Sequence, residues 1–278
     1  MKRLLLWFIM IAVCACARVE RAALPAPSLL SPDVAQTNVQ SSRRVDHAAW
    51  AGFLNRYVAQ DANGINRVDY GAVSDADRNE LRRYLSDLQR VEVSSLNRDE
   101  QLAFWINLYN AVTVNVVLEH YPVASIRKIN DGFLSFGPWD RPLVTVEGRS
   151  LSLNDIEHRI IRPVFAEPRI HYALNCAAAG CPNLMSRPWR ANTLEADLTQ
   201  AERAYVNDPR GVSVGPHGVI LSKIYIWFQE DFGADEAAVL DRLRSVAGPE
   251  LATALQGKTR VARYIYDWSL NDTVPARP

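Results

Sequence analysis

Apolar residues in the first half of the chain follow a helical period. They recur every three or four positions over residues 47–59 and again over 77–88, which predicts two amphipathic helices. Residues 98–120 are apolar on almost every side, which predicts a helix buried at the centre of the fold. We expect this helix to end before Pro122, because the residue preceding a proline is driven out of helical geometry.

The second half mixes strand patterns with further helices. Alternating positions predict strands over 143–146, 169–174 and 260–268 and a hairpin over 211–221. Helical spacing predicts helices over 152–162 (ended by Pro163), 193–205, 224–228 and 234–246. Helices that dominate early and strands that follow late indicate the α+β class. We expect a single domain over residues 45–278, in which the central helix packs against a mainly antiparallel sheet.

Residues 1–17 have the form of an export signal. Lys2 and Arg3 precede ten apolar residues, about half of the ~20 that a membrane-spanning helix needs. The sequence Val-Cys-Ala-Cys at 13–16 resembles a bacterial lipobox, with Cys16 as the lipidated residue. The alternative is ordinary signal-peptidase cleavage before Arg18. We favour the lipobox, and Ala17 rather than Asp after the cysteine favours the outer membrane.

Residues 18–44 have the composition of a flexible tether. They contain three prolines and several Ser and Ala residues, and they show no apolar periodicity. Such a segment would let a periplasmic domain stand off the membrane to which its lipid anchors it.

The charge balance bears on partners. Lys plus Arg and Asp plus Glu each total 31, so the net charge is zero. Without a basic excess or a basic run the chain has no long-range attraction for phosphate backbones, which argues against nucleic acid. A glycine-rich phosphate loop and the motifs GxSxG and HExxH are absent from the sequence, so no cofactor is predicted.

Two cysteines remain beyond the signal region, Cys176 and Cys181. One explanation is a disulfide that pins their loop, as is typical in the oxidising periplasm. A second is a nucleophilic Cys176. A third is a zinc site with both cysteines and a histidine, although this spacing lies at the edge of zinc-ligand patterns. Two inert buried thiols are the fourth.

The nucleophile hypothesis draws in three nearby residues. His171 lies five positions before Cys176, so the two meet only if a strand ends near Leu174 and the chain turns. A neighbouring imidazole or a helix N-terminus would lower the pKa of the thiol and activate it. Glu157 would then orient His171, and His158 is an alternative base.

Five segments together resemble the domain-of-unknown-function family 547. They are AFWINLYNA (103–111), SLNDIEHRIIRP (152–163), RIHYALNCAAAGCPNL (169–184), LSKIYIWFQEDFG (221–233) and YDWSLN (266–271). Their order and spacing extend the resemblance over residues 45–272. The family includes bacterial envelope proteins and plant intracellular proteins, and its name records no activity.

The resemblance adds expectations about the site. Plant relatives often replace the second cysteine of the loop by serine, which favours a thiol role for Cys176. Glu157, His158 and His171 also match family positions. A distant, rearranged likeness to papain-like folds is a further expectation.

These observations support two hypotheses about function. The first is an envelope lipoprotein with a cysteine-dependent hydrolase or acyl-transfer site, of peptidase or amidase type, acting on an unknown substrate. The second is a non-enzymatic periplasmic module that binds an envelope protein. In the second, Cys176 and Cys181 are bonded, and the aromatic loop from Phe133 to Trp139 forms a binding rim.

Overall fold

The computed structural model describes residues 20–22, 24–129 and 137–273. Cys16 and residues 130–136, which include most of the aromatic loop, lie outside them. The described chain divides into two compact units. The large unit comprises Pro27–Leu198 and the chain from Asp267 onward, and the small unit comprises the residues up to Ala26 and Thr199–Tyr266. A single domain over residues 45–278 stays a prediction.

Helices form most of the regular structure of the large unit. Its helices are α1 (Ala48–Tyr57), α2 (Asp75–Leu88), α3 (Arg98–His120), a π-helix (Asp155–Ile161) and α4 (Arg162–Phe165). Its 3-10 helices are Pro32–Ala35, Tyr70–Ala72, Val93–Ser95, Ile126–Lys128, Pro168–Tyr172 and Ala191–Thr193. The structure confirms the three helices predicted before Pro122.

Helices continue through the C-terminal part of the chain. They are α5 (Leu194–Val206), which leads into the small unit, and then α6 (Ile224–Trp227), α7 (Gln229–Phe232), α8 (Glu236–Val246) and α9 (Pro249–Leu255). The sequence patterns predicted α5, α6 and α8, but not α7 or α9.

The described strands form three small sheets. In the large unit β1 (Val58–Gln60) pairs antiparallel with β2 (Asn66–Val68), and β3 (Val144–Val146) pairs antiparallel with β4 (Arg149–Leu151). In the small unit β6 (Gly218–Ser222) lies between antiparallel β5 (Val212–Gly215) and parallel β7 (Val261–Ile265). The α+β class is therefore confirmed, but helices rather than one broad sheet pack against α3, chiefly α2 and the π-helix.

The central helix α3 has clear start and stop signals. The Asn97 side chain accepts the backbone N–H of Glu100 at 3.0 Å, and the acidic side chains of the first turn complement the helix dipole. Among the described residues α3 is the one helix long and apolar enough to cross a membrane, but 94% of its apolar window is buried inside the protein. It is therefore the core helix that its pattern predicted.

Pro163 does not end its helix as we expected. A proline has no N–H, so carbonyl groups one turn earlier lose their helical partner. Backbone N–H groups from residues 27–44, here called the N-terminal strap, take that place: Ser28 donates to the carbonyl of His158 at 3.1 Å, and Leu30 to that of Arg159 at 2.9 Å. Residues 155–161 therefore adopt a π-helix that continues into α4.

The N-terminal strap is bonded to the large unit along much of its length. Asn38 donates its N–H to the carbonyl of Leu96 at 2.9 Å, and the buried Gln101 side chain donates to the carbonyl of Gln36 at 2.7 Å. These partners come from tertiary structure, so the composition that suggested a flexible tether could not show them.

The predicted strand over 169–174 is wrong. This stretch contains the 3-10 helix Pro168–Tyr172. Pro168 fixes a backbone angle suited to a helical start, and the Glu167 side chain accepts the N–H of Arg169 at 3.0 Å. Local capping therefore outweighs the alternating pattern.

Candidate functional site

A disulfide closes the loop between the 3-10 helix and the next extended segment. Cys176 and Cys181 are bonded, with their Cα atoms 6.4 Å apart, inside the usual range. Cys181 is buried, whereas Cys176 is half-buried. The disulfide alternative of the sequence analysis is therefore the arrangement found, and the Cys176 sulfur is engaged in it.

Asparagine side chains clamp this loop from the central helix. Asn110 of α3 donates to the carbonyl of Ala173 at 2.9 Å and accepts the N–H of Asn175 at 2.8 Å. Asn175 in turn accepts from Ala177 and donates to the carbonyl of Pro182, both within the loop. Both asparagines are nearly fully buried, so their hydrogen bonds replace those lost to water.

The C-terminal segment 267–271 lies along the other side of the loop. Ala179 donates its N–H to the carbonyl of Ser269 at 2.7 Å, and Gly180 donates to that of Asp267 at 2.8 Å. Asn271 donates its backbone N–H to Ala177 at 3.0 Å. The loop is therefore held from two sides independently of its disulfide.

One residue of the loop has a strained backbone. Ala177 has a φ of 59°, in the left-handed region that costs a residue with a Cβ about 1–2 kcal/mol. Its N–H and carbonyl both take part in the bonds just described, which hold it in place. Strained positions of this kind occur at binding and catalytic sites more often than elsewhere.

Glu157 and His171 lie close to each other in the large unit. The π-helix carries Glu157 and the 3-10 helix carries His171, and their Oε1 and Nδ1 atoms lie 3.8 Å apart. The His171 side chain is 1% exposed and that of Glu157 is 11% exposed. The distance exceeds a hydrogen bond, so the pair is an electrostatic contact that strengthens when the imidazole is protonated.

His158 faces a different partner. Its Nδ1 lies 3.3 Å from Nη1 of Arg162, one turn further along the chain, and both residues are buried. A guanidinium donates only, so His158 presents a lone pair to it. The contacts described for the four predicted site residues thus join Glu157 to His171 and Cys176 to Cys181, whereas His158 contacts Arg162.

An aromatic cluster forms around Trp268 of segment 267–271. We give this name to Arg127, Trp139 and Trp268, all half-buried. The Arg127 guanidinium carbon lies 5.1 Å from the Trp268 ring centre, and the rings of Trp139 and Trp268 meet edge to face at 5.8 Å. The sequence suggested a binding rim for Trp139 but gave Trp268 only a place in the strand predicted over 260–268.

No metal centre emerges within residues 20–22, 24–129 and 137–273: no group of three or more His, Cys, Asp or Glu side chains there is arranged to hold an ion. Sequence analysis also missed the roles of Asn175 and Asn271. The signal in the sequence was asparagine among apolar residues, because a buried amide side chain must find hydrogen-bond partners.

Fold and site define an α+β protein built around a disulfide-closed loop that asparagines clamp to a buried helix. The model of the family described as "Protein of unknown function, DUF547" matches residues 93–206, which confirms the resemblance over these residues. The match contains α3, the π-helix and the disulfide loop, whereas the motifs at 221–233 and 266–271 lie outside it. No curated protein and no solved structure matches the chain.

Proposed function

We propose that this protein is an envelope lipoprotein that binds a partner protein through the aromatic cluster beside its disulfide loop. The observation that carries this proposal is the Cys176–Cys181 bond. A sulfur held in that bond is no nucleophile, whereas a loop closed by it is a stable support for the segment that carries Trp268.

The chemistry of the aromatic cluster favours a protein partner. Tryptophan and arginine are the residues most enriched among those that dominate binding energy in protein interfaces. Trp139 and Trp268 fix each other's orientation, and Arg127 lies over the Trp268 ring, so little rotamer freedom remains to be lost on binding.

The envelope location rests on the N-terminal sequence. The resemblance of residues 1–17 to an export signal with a lipobox at Cys16 supports a periplasmic location with a lipid anchor in the outer membrane. A disulfide between the two remaining cysteines is compatible with that oxidising compartment.

Site-specific photo-crosslinking in living cells tests the binding function. A photoreactive amino acid at exposed Asp140, next to Trp139, should give one discrete adduct, and the same amino acid at exposed Asn63 should not. Trp268→Ala should abolish the adduct while the protein level stays unchanged. An adduct that survives Trp268→Ala, or no adduct at either position, overturns the proposal.

A second candidate is the thiol-dependent hydrolase, which the buried Glu157–His171 contact favours. Here the disulfide is the resting form. A dithiol reductant would attack the more exposed Cys176 sulfur and release the Cys181 sulfur, which accepts the backbone N–H of Cys176 at 3.0 Å. A second exchange would leave both cysteines as thiols and oxidise the reductant.

Alkylation of the reduced protein tests this candidate. If His171 activates Cys176, alkylation should proceed at pH values well below the ordinary thiol pKa of about 8.5, and His171→Gln should return the profile to that range. A profile at the ordinary range in the unmutated protein removes the hydrolase.

A further inference from the structure

The start of the described chain is docked on the small unit. Both carboxylate oxygens of Glu20 lie 2.8 Å from Nζ of Lys223, and one of them also accepts the indole N–H of Trp227 at 3.1 Å. Lys223 is 16% exposed and Glu20 is 35% exposed, so the ion pair is partly shielded from water. A carboxylate held by an ammonium group and an indole has a defined position rather than a general surface attraction.

The next residue adds a second attachment on the same face. Arg21 donates to the Gln229 side chain and to Glu230, each at 3.1 Å. We call the surface formed by Lys223, Trp227, Gln229 and Glu230 the docking face. These four residues extend from the start of α6 into α7 of the small unit.

The position of Glu20 in the sequence gives this contact its meaning. Only three residues separate it from Cys16. A fully extended chain advances at most ~3.6 Å per residue, so four steps cover no more than ~14 Å. The next described bond from this segment to a distant part of the chain is that of Ser28 to His158. Ser28 lies twelve residues after Cys16, so an attachment there alone would allow a reach of roughly 40 Å.

We propose that the bilayer surface is the partner of the docking face, and that the short segment from Cys16 to Glu20 holds the small unit against the bilayer. The inference rests on the proposed lipid at Cys16. The headgroup layer is ~5–8 Å thick on each side of the hydrocarbon core. A connecting segment of at most ~14 Å therefore brings the docking face to the headgroups. The sequence alone suggested the opposite arrangement, a tether that keeps the domain at a distance.

Quenching by lipids with a spin label on the headgroup measures this distance on the lipidated full-length protein in vesicles. One fluorophore is attached to a single added cysteine, since the two native cysteines of the fold are bonded. Ala234→Cys reports on the docking face, because the carbonyl of Ala234 accepts from Gln229 at 3.2 Å. Lys258→Cys reports on the opposite end of β7, about 13–16 Å from the end that contacts Lys223.

The expected result is several-fold stronger quenching at position 234 than at position 258. Glu20→Ala with Arg21→Ala should lower the signal at 234 to that at 258. The control is Glu250→Ala with Arg260→Ala, which removes one acid and one base from exposed positions of the same unit and should change nothing.

The outcomes separate this inference from the proposed function. Equal quenching at 234 and 258, or quenching at 234 that persists in Glu20→Ala with Arg21→Ala, overturns the docking inference and leaves the lipoprotein proposal standing. Absence of a glycerolipid on Cys16, read by mass spectrometry of the same preparation, overturns both.

Discussion

At the scale of single residues, buried asparagine side chains fix the direction of nearby polar groups. Asn107 of α3 accepts the N–H of Trp189 at 3.0 Å and donates to its carbonyl at 2.8 Å, which fixes the direction of the amide. Its donor nitrogen also faces Nε2 of His47 at 3.2 Å, so Nε2 must accept. The other ring nitrogen then carries the hydrogen and donates to Tyr84 at 2.6 Å.

This network predicts an acid sensitivity. Burial, with a smaller contribution from the charge of Arg190, lowers the pKa of His47 from 6.5 to about 4. A proton therefore binds the unfolded chain more readily, and stability present above pH 6.5 is lost as the pH falls toward 4. The loss should approach about 3 kcal/mol, measured by urea unfolding at a series of pH values. His47→Gln should flatten this part of the profile; a parallel profile in that variant would contradict the assignment.

The Asn110 clamp predicts a large cost for a small truncation. Asn110→Ala would leave the carbonyl of Ala173 and the N–H of Asn175 buried without these partners, so we expect a loss of about 2–5 kcal/mol in the free energy of unfolding. The control is Asn115→Ala in the same helix, whose side chain bonds Glu119 at the surface and should cost below about 0.5 kcal/mol. Similar losses in both variants would rule out the clamp.

At the scale of elements, the disulfide loop and the π-helix both depend on distant parts of the chain. The carbonyl groups of the π-helix need N–H donors from the N-terminal strap, and the loop needs Asn271, almost a hundred residues further along. Neither partner is visible in a local window of sequence. The central helix, by contrast, was predictable to the residue because its apolar run, its acidic first turn and Pro122 lie within one window.

Removal of the disulfide should therefore weaken the loop without dismantling it. Closing so short a loop contributes about 2 kcal/mol, so Cys176→Ser with Cys181→Ser should lower the free energy of unfolding by that amount. The asparagine clamps should keep the aromatic cluster in place, and the crosslink from position 140 should persist. Loss of the crosslink in a variant that remains folded would show that the clamps do not hold the cluster without the disulfide.

The candidate site was only partly predictable from the sequence. His171 lies 3.8 Å from Glu157 and His158 faces Arg162, and the catalytic roles suggested for these residues stay predictions. The cysteine spacing left a disulfide, a nucleophile and a metal site open, because spacing alone does not determine how the chain turns between two sulfurs. The turn itself depends on the left-handed backbone of Ala177. Glycine is the usual residue in that conformation, so an alanine gave no sign of it in the sequence.

At the scale of the whole molecule, we propose that the N-terminus holds this protein at a membrane. Cleavage before Cys16 would remove Lys2 and Arg3, so the proposed mature chain has no basic excess to attract anionic lipid, and its attachment would depend on the proposed lipid at Cys16. Under this proposal the docked residues Glu20 and Arg21 would determine which part of the small unit meets the surface.

The proposed lipid anchor predicts that two neighbouring substitutions affect membrane association differently. Cys16→Ser removes the lipidated residue and should move the protein from the membrane fraction to the periplasmic fraction or leave its signal uncleaved. Cys14→Ser lies two positions earlier, keeps the lipobox cysteine and should leave the protein with the membrane. Membrane association that survives Cys16→Ser would favour cleavage before Arg18 and another mode of attachment.

The most direct test of the account is the state of the two loop cysteines in protein taken from the native envelope. Alkylation without reductant, followed by mass spectrometry, should leave both cysteines unmodified and give a peptide two hydrogens lighter than the dithiol form, and reduction should make both alkylatable. Both cysteines alkylated without reductant would contradict the disulfide-supported loop and return Cys176 to consideration as a nucleophile.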